Sequence, residues 1–286
     1  MPELPDLEAI QDFLLRQLTG VEVTAAAVLQ PIPLRMPAPA EFEATLPGDT
    51  LNGVRRRGKW LLLDFASGHT LAINPMLVGR LQYCPPKERR KVKTVFILDL
   101  SDGQQLRYYD SKLMGKVYLV PDGHVELIPR WDEMGPEALA PEVTLDAFRQ
   151  RLKRHPGQVK GILVNDTFLA GIGNAYADEI LFEARVYPYR RRASLQPEEV
   201  EALYGAMHSV LDHASAVVAG RMGDDIHVKI RDFLLVHGKG GRAVSALRQH
   251  HLADHREPAA HELLPPVSGL GMSDARERLW KGEHAW

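Results

Sequence analysis

The feature that most constrains this chain is a change of hydrophobic period near Pro121-Asp122-Gly123. Before it, short apolar runs alternate with turn signals such as Ser67-Gly68 and Ser101-Asp102-Gly103, at the spacing of a sandwich. Strands are expected at Val21 to Thr24, Lys59 to Phe65, Leu71 to Ile73, Thr94 to Leu100, Leu106 to Tyr109 and Lys116 to Val120, behind one opening helix from about Pro5 to Leu18. After it the period is helical, over about 144 to 153, 156 to 164, 174 to 184 and 197 to 219. The last stretch opens on Gln196-Pro197-Glu198-Glu199, as a helix N-terminus should. The chain therefore reads as a multi-domain α+β protein. An N-terminal antiparallel β-sandwich spans 1–125, an all-helical domain 132–230 and an irregular tail 231–286. A length of 286 residues accommodates two cores, and no internal repeat is found.

No apolar run approaches the roughly twenty residues of a membrane span, and the N-terminus lacks a secretory pattern, so a cytoplasmic protein without a membrane partner is expected. The single cysteine, Cys84, excludes an internal disulfide and a cysteine-based zinc site, and reads as a packed strand residue. The net charge of −2 does not advertise nucleic acid, yet the cations are bunched at Arg55 to Lys59, Lys87 to Lys93, Arg151 to Lys160 and Arg190 to Arg192. Solvated surface is the simpler reading of any one cluster.

Two local patterns carry chemistry. The chain opens Met1-Pro2-Glu3-Leu4-Pro5, and removal of Met1 would leave a proline secondary amine beside a carboxylate. An α-amine titrates near pH 8, so an appreciable fraction is a competent nucleophile at neutrality, with Glu3 in reach to move protons. Taken alone, a proline at position 2 means little. Farther on, Gly171-Ile172-Gly173-Asn174 feeds a helix. Such a turn offers free N–H groups and a positive dipole end to a phosphate, with the Asn174 side chain as an extra donor. A tight turn capped by Asn174 is the structural alternative.

Together with Arg57-Gly58-Lys59 before an apolar strand and Asp110 to Gly115, these motifs resemble the formamidopyrimidine-DNA glycosylase and endonuclease VIII family, in order and spacing, from residue 2 to about 241. The resemblance implies a β-sandwich, a helix-two-turns-helix domain and a C-terminal zinc finger, with duplex DNA containing oxidised bases or abasic sites as partner and a monomeric, bacterial-type, nucleoid-associated enzyme. It implies a base-excision-repair glycosylase with AP-lyase activity by β,δ-elimination, acting on a flipped nucleotide through a Pro2 Schiff base. Pro2, Glu3 and Lys59 take the catalytic positions, Lys59 contacting the phosphate beside the lesion. Asn174 and Gly173 fall where the backbone is gripped. Leu77 stands at the wedge position of Asn74 to Gly79, and Lys112 and Met114 fall where relatives carry an arginine and a phenylalanine that fill the vacated space. Lysine lacks the planar fork that reads a cytosine edge, so weaker opposite-base discrimination is expected. A non-catalytic DNA-binding protein of the same fold is the alternative, against which the intact Pro2-Glu3 pair argues.

The tail departs from the family. After Gly241 the finger's four cysteines are missing. Val244-Ser245, Leu247-Arg248, Leu264-Pro265 and Val267-Ser268 nevertheless permit cysteine codons one nucleotide out of frame, at the family's spacing of two, sixteen and two residues. The tail reads as translated out of its ancestral frame, with zinc absent as cofactor, poor packing after about 242 and weakened or absent activity on duplex DNA. A histidine site at His250, His251, His255 and His261 is the rival reading.

Overall fold

A computed structural model of the chain describes residues 1–239; the segment read from sequence as out of frame, with its histidines, lies outside the described residues. Residues Met1–Ile230 form one compact unit, and a second unit begins at Arg231.

The N-terminal part opens with α1 (Leu4–Leu18), whose Pro5 sits in the first turn, where a missing N–H is harmless. Strands β1 (Val23–Val28), β7 (Thr94–Leu100), β8 (Gln105–Tyr109) and β6 (Arg80–Cys84) form one sheet in the order β1-β7-β8-β6. Strands β2 (Leu34–Met36), β9 (Lys116–Pro121), β5 (His69–Asn74), β4 (Trp60–Phe65) and β3 (Leu51–Arg57) form the other, in the order β2-β9-β5-β4-β3. The sandwich is antiparallel except for β2, which runs parallel to β9, a departure from the expected pattern. Between β2 and β3 lies a short helix, α2 (Pro39–Thr45), which the strand-like reading of this region also missed.

The unbroken apolar run on β4 is explained by burial on both faces. Trp60 and Leu62 join Ala72, Tyr118, Val120 and Ile128 in a cluster closed by Val125, Trp131 and Met134, so the connecting segment covers the outer face of the sheet. Leu61 and Leu63, on the opposite face, are also fully buried. Cys84 is buried at the end of β6.

The helical part comprises α3 (Leu145–Arg154), α4 (Val159–Leu163), α5 (Asn174–Glu183) and α6 (Pro197–Arg221). Thr144 caps α3 through the N–H of Ala147 at 3.2 Å, and Glu199 accepts the Gln196 N–H at 2.7 Å at the start of α6. Helix α1 packs on α6 and β3, which brings the chain's first residues against the helical part.

Candidate active site

The N-terminus, the β3–β4 turn and the turn before α5 meet at one place. The Leu4 N–H donates to the Gly171 carbonyl at 2.9 Å, and the Glu3 N–H donates to Asp6 Oδ2 at 2.8 Å. Glu3 is buried, and its carboxylate accepts three backbone N–H groups: Gly173 at 2.9 Å and Tyr176 at 3.2 Å on Oε2, and Ala175 at 2.9 Å on Oε1. Three donors at the positive end of a helix stabilise a negative charge there.

The N–H groups that the glycine turn was expected to offer a phosphate are taken up within the protein. The anion on the N-terminus of α5 is Glu3 itself, and Gly173, the N-cap residue, spends its N–H on that carboxylate. Asn174 is not the cap but the first helical residue, and it is exposed. The glycines are required by the close approach. A Cβ on Gly173 would lie 2.5 Å from Glu3 Cδ, and Gly171 has φ +100° with its Cα facing Leu4. Gly58, at φ +55° in the β3–β4 turn, faces Ala170 in the same way.

Lys59 follows that turn and is buried. Its Nζ donates to the Ile172 carbonyl at 3.1 Å and lies 2.8 Å from Asp166 Oδ1. Its neighbours Arg55, Arg56 and Arg57 are not free for phosphate. Arg55 makes a two-bond pair with Asp64 at 2.5 and 2.7 Å, while Arg56 and Arg57 both engage Glu137, and Arg56 also reaches Glu8 at 3.2 Å. Elsewhere Lys160 pairs with Asp178 at 2.8 Å and Arg190 with Glu199. Of the basic clusters, Lys87 to Lys93 stays exposed without an ion pair among the described residues.

Pro2 is buried in this nest. The amine of the preceding Met1 has its pKa lowered to about 5, first by burial, then by the positive charges of Lys229 and Arg80, with Glu3 opposing. Sequence reasoning missed both cations. Arg80 opens the unrecognised strand β6, with its guanidinium 2.5 Å from the Gly79 carbonyl, and Lys229 lies after α6 with no motif around it.

The two wedge loops are built on a common support. Leu77 and Met114 are 38% and 41% exposed, and Lys112 is exposed as well. The Asp110 carboxylate, fully buried, accepts the N–H groups of Lys112 at 2.9 Å and Gly115 at 2.6 Å, shaping the second loop from within. Tyr108 lies beneath both loops. A Cβ on Gly79 would be 2.3 Å from its hydroxyl, and one on Gly115 1.9 Å. Arg80 acts electrostatically on both Tyr108 and the terminal amine, so one buried cation serves both regions.

No group of three or more His, Cys, Asp or Glu side chains able to hold a metal is found among the described residues, and none of their helices is long and apolar enough to cross a membrane.

Comparison with known proteins is consistent across sequence and fold. A family described as "Formamidopyrimidine-DNA glycosylase N-terminal domain" matches residues 1–117, and the corresponding H2TH domain matches residues 134–225. The formamidopyrimidine-DNA glycosylase of Pelotomaculum thermopropionicum is 34% identical over 241 residues, 84% of each chain. That of Symbiobacterium thermophilum is 36% identical over 211 residues, 74% of this chain and 69% of the other. The Lactococcus lactis Fpg in complex with abasic-site DNA superposes with a TM-score of 0.77 at 23% identity, over 86% of this chain and 91% of that one.

Proposed function

Because the chain belongs to the formamidopyrimidine-DNA glycosylase family, we propose that its N-terminal amine carries out the chemistry and that DNA bearing damaged bases is its partner. The protein is a base-excision-repair DNA glycosylase with the AP-lyase activity typical of that family.

In this reading Met1 is removed and the Pro2 nitrogen attacks C1′ of a flipped deoxyribose. The N–C1′ bond forms as the glycosidic bond breaks, the damaged base departs with the bonding electrons and takes up a proton, and the amine proton passes to Glu3. The nitrogen lone pair then expels O4′ from C1′, opening the sugar ring as Glu3 returns its proton to O4′, and the resulting iminium draws electrons from C2′. Loss of a C2′ proton then expels the 3′ phosphate, a second elimination expels the 5′ phosphate, and water releases the sugar remnant from the proline. The observation that supports this best is the environment of the terminus. Burial and the nearby charges of Lys229 and Arg80 lower the pKa of the Met1 amine to about 5, and the same surroundings favour the neutral form, with a free lone pair, of the Pro2 amine exposed by removal of Met1. Glu3, fixed on α5, lies one residue from Pro2.

Lys59 contacts the phosphate beside the lesion and Asn174 grips the backbone from the first turn of α5. Gly173 contributes by admitting Glu3. Leu77, Lys112 and Met114 fill the space left by the flipped nucleotide, and the enzyme acts as a monomer. The zinc finger that relatives carry does not fit the donors at hand. The chain's single cysteine is buried on β6, and no metal-binding group is found among the described residues.

Borohydride trapping on abasic-site duplex tests the reading. The purified chain should form a covalent complex that a Pro2→Gly variant forms far less well because its amine is primary and differently placed. DNA binding without any trapped complex would replace the enzyme with a non-catalytic binder.

A further inference from the structure

Lys59 is not a free cation. Its side chain is 7% exposed, its aligned hydrogen bond goes to the Ile172 carbonyl at 3.1 Å, and its charge faces Asp166 at 2.8 Å. The contact with Asp166 is electrostatic, with a geometry outside that of an aligned hydrogen bond. An ammonium has three donors, so the arrangement neutralises the charge while leaving N–H capacity for another acceptor. The Asp166 side chain is 36% exposed, which places this negative charge at the boundary between Lys59 and solvent.

We propose that Asp166 is a specificity-determining counter-ion that keeps Lys59 silent toward ordinary backbone phosphates and admits only the phosphate pressed against it when a lesion nucleotide is flipped. A phosphate passing along undamaged duplex meets a pair of zero net charge, and the carboxylate repels it. A phosphate driven inward by lesion binding reaches the unused donors, and the energy of that insertion offsets the repulsion. Asp166 is therefore a positioning residue that acts through Lys59, and the inference rests on the reading of Lys59 as a phosphate contact.

Its signature is in salt dependence, because a lysine already neutralised by a carboxylate releases little counter-ion when DNA binds. The test measures binding of the full chain to undamaged duplex and to duplex carrying a tetrahydrofuran abasic analogue, across a potassium chloride series. Asp166→Asn should steepen the log K against log salt slope for undamaged duplex by about one unit. It should also raise undamaged-duplex affinity at low salt by roughly fivefold and reduce the preference for the abasic analogue. Asp166→Glu should behave as the original chain does. Lys59→Met, which leaves Asp166 without its counter-charge and the Ile172 carbonyl without its donor, should leave the undamaged-duplex slope unchanged, and Asp166→Asn in that background should relieve the carboxylate's repulsion without steepening the slope. The idea is overturned if Lys59→Met alone flattens the slope by about one unit, as a free lysine would. It is equally overturned if Asp166→Asn steepens the slope by the same amount with and without Lys59. These failures are distinct from failure of the functional reading, which would show in the original chain as equal affinity for both duplexes.

Discussion

The carboxylate of Glu3 receives the N–H of Gly173 at 2.9 Å, across 170 residues of sequence. The third residue of the chain thereby closes the N-terminus of a helix in the second half, with Ala175 and Tyr176 completing the contact. The terminal amine and Asn174 are consequently parts of one rigid arrangement, which is what holding a nucleophile against a gripped backbone requires.

Replacing Glu3 with Ala should lower stability by about 2–3 kcal/mol, since three N–H groups lose their acceptor in a buried place. Gly173→Ala should destabilise by a similar amount, because its Cβ would fall 2.5 Å from Glu3 Cδ. Urea denaturation read by circular dichroism measures both. An unchanged midpoint in either variant would mean that the carboxylate does not hold α5.

The pH profile of single-turnover trapping should report the environment of the amine. The burial and the cations that lower the Met1 amine should also hold the Pro2 amine below its ordinary value once Met1 is removed, so the rate should level off before pH 8 instead of climbing until about pH 8. Lys229→Ala should move the rising limb to higher pH. The folded pKa of the Met1 amine lies below its ordinary value of 8.0, so the folded chain binds fewer protons. With Met1 retained, stability should therefore rise with pH between about 5 and 8.

Tyr108 supports two loops with a buried hydroxyl that has no hydrogen-bond partner among the described residues. Tyr108→Phe should therefore leave stability unchanged or raise it slightly, as it removes an unsatisfied polar atom. Gly115→Ala should destabilise by about 2 kcal/mol or more, and Tyr108→Phe should recover part of that loss because the hydroxyl is the nearest obstacle. Additive effects in a double-mutant cycle would show that the hydroxyl and Gly115 do not meet.

Glu137 binds Arg56 and Arg57 and accepts the Gly58 N–H at 2.6 Å, tying the β3–β4 turn to the segment that leads into the helices. Glu137→Ala should cost about 2–3 kcal/mol, since it leaves the buried Arg56 guanidinium with only Glu8 and the Gly58 carbonyl and deprives the Gly58 N–H of its acceptor. Thermal melts that vary little with salt would match a pair shielded from solvent, whereas a loss within 0.5 kcal/mol, about the size of an ordinary surface substitution, would contradict it.

Lys112→Arg should increase the preference for cytosine opposite the lesion, because the guanidinium fork can make two bonds where an ammonium makes one. Competition between duplexes that differ only in the opposite base measures it; unchanged preference would separate Lys112 from base reading.

Local chemistry made much of this protein legible in advance. Pro5 at the head of α1, the β-branched and aromatic run of β7, and the Gln-Pro-Glu-Glu entry to α6 are short-range signals, each acting within a turn or a strand. Strands β3 and β6 were hidden because Arg55, Arg56 and Arg57 on one and Arg80 and Gln82 on the other break the apolar alternation. The arginines find their partners only after folding. Pro2, Glu3 and the glycine turn could be named from sequence, but not the fact that Glu3 would occupy the turn's N–H groups. Likewise nothing near Lys59 announces Asp166 or the Ile172 carbonyl 113 residues away. The sequence determined which groups carry chemistry and where helices and strands begin. The tertiary structure decided which charge meets which, because an ion pair or a helix cap depends on the path of the whole chain and on the burial that makes an unpaired group costly.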